Sequence, residues 1–162
     1  MLTAACAPRG HADAERAVLR AALQELFARR EHAQAVTLWQ DARQQAPTLS
    51  VYGGPWEAHD TLALAQVDAA ALALPFRVEH TSLREMSDFF ARHPGGWDRW
   101  FERHPGNAGV VEVVTPRLFA DSAVVTVGRA CGEMCRTAWR VSLVRSGDTW
   151  QVRRVRVLRL PR

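Results

Sequence analysis

Two cysteines, two histidine-proline-glycine stops, one isolated acid and a run of arginines are the side chains best placed to do chemistry in this sequence. Cys131 and Cys135 bracket Gly132-Glu133-Met134 between two apolar runs, a spacing that predicts a hairpin tip. A structural disulfide there would need an oxidising compartment and, closing so small a loop, would contribute on the order of 2 kcal/mol. Metal binding needs three or four ligands, and no second Cys or His pair at zinc-ligand spacing accompanies these two. A redox-active pair normally uses a two-residue spacer at a helix N-terminus, where the dipole lowers the thiol pKa. The structural disulfide is therefore the favoured reading, ahead of free thiols and of metal or redox chemistry. No cofactor or metal is implied.

His93-Pro94-Gly95 and His104-Pro105-Gly106 form a near-duplicate at two predicted helix ends. Such a pair is a candidate for metal or proton chemistry. A histidine near a helix C-terminus also satisfies the last carbonyls before a proline stop, and capping is the reading preferred for both. Asp68 lies in an Ala- and Leu-rich stretch, where burial would shift its pKa, and His80 follows Glu79 at the end of a short strand. With Trp97, Trp100 and Phe101 they make up the candidate pocket, although spacing assigns none of them a partner. The aromatics read as a plug over one end of the sheet, with an exposed stacking platform as the sharper alternative.

Arg153, Arg154, Arg156 and Arg159 crowd the last predicted strand, near Arg140, Arg145 and Arg162, and from Arg136 onward Asp148 is the lone acid. These arginines are the candidate anion-binding residues, for an anionic ligand, nucleic acid or lipid headgroups. The simpler account is a solvated edge strand whose charge blocks edge-to-edge pairing. Nucleic acid is disfavoured because no aromatic alternates with the arginines as a base-stacking platform would require.

The elements that must position these groups follow from periodicity and breakers. His11 to Glu31 predicts a helix with Val18, Leu19, Ala22, Leu23, Leu26 and Phe27 on one stripe, Asp13 as N-cap, and Arg16, Arg20, Arg29 and Arg30 on a solvated face. Residues 35–39 make a short strand, 44–55 a loop, and 58–74 a second helix started near His59-Asp60, buried nearly all round and stopped before Pro75. Residues 76–80 form a second short strand. Ser82 and Glu85 then form a capping box for a helix that runs to about Arg92 and buries Leu83, Met86, Phe89 and Phe90. A helical turn over 97–104 precedes four strands at 109–114, 122–129, 136–144 and 149–160. The expected architecture is α+β, with N-terminal helices packed on a C-terminal curved antiparallel sheet, a four-strand meander.

Length and composition allow one domain with a real core: 162 residues, 48% hydrophobic, 23% charged. Residues 11–162 read as that domain and residues 1–10 as a leader. The net charge is +4 and every basic residue is arginine. No apolar run approaches the roughly 20 residues of a membrane-spanning helix. Met1-Leu2-Thr3-Ala4-Ala5-Cys6 resembles the end of a bacterial lipoprotein signal, with Cys6 as the lipidation candidate. Leu2 stands one place too early for a lipobox, and the charged and apolar regions of a signal peptide are absent. With Cys6 acylated, an even pair of cysteines is left, which suits export.

From Trp97 onward the sequence also resembles a group of uncharacterised, often exported bacterial proteins with a Cys-Gly-x-x-Cys hairpin. Trp97, Phe101, His104-Pro105, Gly109, Phe119, Cys131-Gly132, Cys135 and Trp150 carry the likeness, over about the last 65 residues. Arg136 replaces the glycine that commonly follows the second cysteine, and Arg159-Leu160 replaces a closing aromatic-Ser. The helices-then-sheet order is similar, in pattern alone, to NTF2-like and cystatin-like architectures, which host enzymes, binders and scaffolds alike. The resemblance implies export and no particular activity. The functional expectation is a non-catalytic, envelope-associated binding or structural module, exported or lipid-anchored, or otherwise cytoplasmic, with membrane-surface association as the candidate partnership. A small enzyme or small-molecule binder with a pocket between sheet and helices is the alternative, followed by anionic-ligand or nucleic-acid binding through the last strand.

Overall fold

Every residue of the strand Ala35–Trp39 is buried, so both of its faces must be covered, and the architecture follows from that requirement. The computed structural model describes residues 9–40, 65 and 67–158. The expected loop at 44–55, the His59-Asp60 helix start, Cys6, Arg159, Arg162 and the side chain of Leu83 lie outside the described residues. The first helix, α1 (Arg9–Leu23), continues as a π-helical turn over Gln24–Arg30. β1 (Ala35–Trp39), a short α2 (Ala69–Leu72) and β2 (Arg77–Thr81) come next. The helical pair α3 (Leu83–Arg92) and α4 (Gly96–Arg103) then leads into β3 (Asn107–Val113), β4 (Arg117–Leu118), β5 (Ser122–Ala130), β6 (Arg136–Ser146) and β7 (Thr149–Leu158).

The fold is α+β around an open mixed sheet in the order β2-β1-β3-β5-β6-β7, with β4 paired to β5. The four-strand antiparallel meander is present as β3-β5-β6-β7. The two short strands extend it, for β1 pairs in parallel with both β2 and β3. One face carries Val36, Leu38, Val111, Val113, Val125, Val127, Trp139, Val141 and Leu143 against the stripe of α1. The π-helical turn buries Leu26 and Phe27, and Phe27 meets Phe76 and Trp139 edge-on at 6.3 and 6.0 Å. The opposite face presents Trp39, Val110, Val114 and Ala138 to Met86 and Phe89 of α3 and Trp100 of α4. The aromatics of 97–101 thus cover a sheet face rather than plug one end, because a two-helix unit offers a flat apolar side and Trp39 and Val110 need a lid.

Local chemistry explains where other elements differ from the periodicity. Asp13 sits inside α1, paired with Arg16 at 3.5 Å, because the helix already begins at Arg9. Arg20 stays on the exposed face, as expected, and from there its Nε donates to Leu72 O at 2.7 Å and its Nη2 to Ala71 O at 3.2 Å. Of the expected 58–74 helix, the described part is helical only over Ala69–Leu72. Ala65 N–H is spent on Val113 O of the sheet, and Asp68 is an N-cap that accepts from Ala70 and Ala71 N–H. Ala73, left-handed at φ 46°, ends the turn just before Pro75. The Ser82–Glu85 capping box is present with both of its hydrogen bonds.

Cys131 and Cys135 are joined by a disulfide across the β5–β6 tip. That tip lies against Gly109, whose φ of +118° belongs to a region that side chains avoid. A Cβ there would collide with the Ala130 carbonyl oxygen and press on Cys131. Gly109→Ala is therefore expected to cost about 2 kcal/mol or more in denaturant unfolding. Gly147→Ala, at φ +60° with nothing within 4 Å of the added methyl, is expected to cost only about 1 kcal/mol.

Candidate functional site

The two histidine-proline-glycine stops, near-identical in sequence, do different things. His93 behaves as a cap: its ring stacks on Phe89 at 4.3 Å, and Nδ1 donates to the Phe89 carbonyl at 2.8 Å. His104 does not cap with its ring. Its backbone N–H takes the Trp100 carbonyl, which frees the imidazole to reach across to the sheet edge. There its Nδ1 lies 2.5 Å from Glu79 Oε2 of β2.

Two further groups hold Glu79. Arg77 Nε donates to Oε1 at 2.9 Å, and Asn107 Nδ2 reaches Oε2 at 3.4 Å while donating to Thr37 Oγ1 at 2.8 Å. Asn107 is itself fixed by accepting from Gly109 N–H at 2.9 Å. The pairing of Ala35 with Asn107 and of Thr37 with Val110 leaves one extra residue on β3, so a β-bulge aims Asn107 at the carboxylate. Thr37 and Glu79 are register partners, which puts both side chains on the α4 side of the sheet.

Burial alone would raise the Glu79 pKa, but hydrogen bonds and positive charge from His104 and Arg77 outweigh it and hold the carboxyl below its usual range. An ionised Glu79 accepts only, so His104 Nδ1 must carry the proton. In the neutral ring the lone pair then lies on Nε2. The imidazole stacks on Trp100 at 4.1 Å, and its side chain keeps 27% exposure. Trp97 continues the aromatic surface, 6.2 Å from Trp100 and 5.9 Å from Phe101.

The five residues expected in one pocket are not brought together. Trp100 is buried under the helical pair, with Trp97 and Phe101 packed against the same cluster. Asp68 lies on the α1 side, on an open cleft of about 360 Å³ with Glu15, Arg16, Leu19, Val67 and Leu72. His80 is exposed on β2 opposite Leu38, on the face away from Glu79. Glu79, Asn107 and Thr37 were missed as site residues. Their sequence signal was thin: His-Pro-Gly-Asn with Gly two residues on is compatible with a bulge but does not name the strand it faces. Among the described residues no group of three or more His, Cys, Asp or Glu is placed to hold a metal ion.

A second constellation lies at the opposite edge. β5, β6 and β7 carry no carboxylate at all. Arg140 stands directly opposite Arg156, and Ser142 opposite Arg154, on one face of the sheet. A bulge between Val152 and Arg154 leaves Arg153 as the extra residue, and Arg153, Arg154 and Arg156 are all exposed.

Fold and site together define an α+β protein with an open mixed sheet, helices on both faces, an acid–base pair at one edge and a basic ladder at the other. Comparison with protein-family models, with curated proteins and with solved structures found no match.

The depressed Glu79 pKa fixes the sign of a pH effect. A carboxylate whose folded pKa lies below its unfolded value contributes stability above the unfolded pKa, and loses it as pH falls through the folded one. Glu79→Gln is therefore expected to lower the melting temperature most near neutral pH. Its difference from the parent protein should shrink as melting curves are taken at decreasing pH below the ordinary carboxyl range.

Proposed function

We propose that the protein is an envelope-associated binding module that docks on anionic lipid surfaces through the arginine ladder of β6 and β7. The observation that carries this reading is the exposed trio Arg153, Arg154 and Arg156 on β7, an edge strand that, like its neighbour β6, has no acid. Guanidinium groups suit phosphate oxygens because their planar fork pairs them two at a time. Export is supported by the Cys131–Cys135 disulfide, which persists in oxidising compartments, and by the small-residue approach to Cys6. The likeness to exported Cys-Gly-x-x-Cys proteins points the same way.

Each arginine near an anionic membrane surface is worth about 1 kcal/mol, and the attraction is screened by salt. Vesicles of mixed phosphatidylglycerol and phosphatidylcholine should sediment the protein at low salt and release it as sodium chloride rises. Arg154→Ser with Arg156→Ser should weaken that binding about 30-fold, corresponding to about 2 kcal/mol. Binding to pure phosphatidylcholine of equal strength, or none to either vesicle, would defeat the reading. Intact mass of the protein from its own host tests the address, since a diacyl or triacyl increment on Cys6 is expected.

A further inference from the structure

We propose that His104, held by Glu79, is the base of a hydrolytic site for small acyl esters with aromatic bodies, opening at the β2 edge beside the aromatic surface of α4. This site lies at the sheet edge away from the arginine ladder, and it stands or falls independently of membrane docking.

The geometry distinguishes a held base from a structural histidine. A capping ring spends its nitrogen on a helix carbonyl, as His93 does with Phe89. His104 spends Nδ1 on a carboxylate that is itself fixed by Arg77 and Asn107, with Asn107 in turn fixed by Thr37 and Gly109 N–H. Five residues beyond the imidazole thus serve to orient it. That is the arrangement of a base and its orienting acid in which the second ring nitrogen does the work. No described residue hydrogen-bonds Nε2, and the ring is partly exposed. Arg77 and Glu79 from β2, Thr37 from β1, Asn107 from β3 and Trp100 from α4 are the groups placed around it.

The substrate class follows from the neighbours of the ring. The Trp100 ring that His104 lies on is continued by Trp97, Phe90 and Phe101, the last three only partly buried. A flat apolar group can stack there while its carbonyl faces Nε2. Among the described residues no hydroxyl or thiol is placed to complete a triad, Thr37 Oγ1 being engaged by Asn107, so water is the nucleophile. Nε2 takes a proton from water as the water oxygen bonds to the acyl carbon. The acyl C–O bond then breaks, and the leaving oxygen receives the proton from Nε2. The products are a carboxylic acid and an alcohol or phenol, with no change in oxidation state. Glu79 never contacts substrate; it is a positioning residue that fixes the tautomer and stabilises the transient imidazolium.

The probe is p-nitrophenyl acetate with the full-length protein in a buffer free of imidazole. Hydrolysis is expected at least 10-fold faster, per mole of protein, than with six equivalents of free 4-methylimidazole. His104→Gln should remove that excess, Glu79→Gln should remove most of it, and His93→Gln should leave it unchanged. Nitrogen-15 NMR of the unmutated protein supplies a readout that needs no variant. His104 should show the Nδ1–H tautomer, and folded Glu79→Gln should show a mixture. A rate no greater than that of free imidazole, a rate that survives His104→Gln, or an Nε2–H tautomer at His104 would each overturn the proposal. Vesicle binding is expected to be the same in all three variants.

Discussion

The structure depends on the burial of a parallel strand from both sides. β1 runs between β2 and β3 in the same direction as each, and a strand so placed has no solvent face to which polar side chains can turn. Its residues are accordingly Ala, Val, Thr, Leu and Trp, all buried. The α1 stripe covers Val36 and Leu38, and the α3–α4 pair covers Trp39. Thr37, the one polar residue of β1, is 1% exposed, so its hydroxyl has to be satisfied inside the protein. Asn107 satisfies it, and the network around Glu79 and His104 is built outward from that bond.

Much of this was legible in the sequence, and the reasons differ by element. The meander strands have long alternating runs bounded by strong turn signals at Cys131–Cys135 and Ser146–Asp148, and they were found almost to the residue. The capping box at Ser82 and the burial of Val18, Leu23 and Phe27 are local patterns of the kind that sequence reports well. The stretch before Pro75 misled because Ala and Leu favour helix everywhere, whereas the sheet claims the Ala65 amide and Asp68 resets the helix start. The site was not legible, since it joins Glu79 to a histidine 25 residues away through a bulge. Asp68 and His80 attracted notice as titratable groups near apolar runs. Register then placed His80 on the face of the sheet away from the aromatic cluster, one residue along β2 from the Glu79 that matters, while Asp68 caps a short helix beside α1.

The two edges of the open sheet are used differently. At β2 the strand is short, and its charges are internally neutralised, carboxylate against guanidinium and imidazole. At β7 the strand is long, and its exposed arginines have no carboxylate on the neighbouring strands. An unpaired strand of that length would invite another chain to pair with it, and charge of one sign together with a bulge discourages a second copy from doing so. The same arginines thus keep the edge solitary while leaving it attractive to anions.

Gly109 gives the disulfide a wider meaning than loop closure. Because position 109 has no side chain, the hairpin tip rests directly on backbone, with Cys131 and the Ala130 carbonyl against the residue whose N–H donates to Asn107. Tip and imidazole are thus joined by an unbroken chain of contacts: tip to Gly109, Gly109 to Asn107, Asn107 to Glu79, Glu79 to His104. Bulk added at this one position would therefore disturb the seat of the hairpin and the anchor of the polar network together.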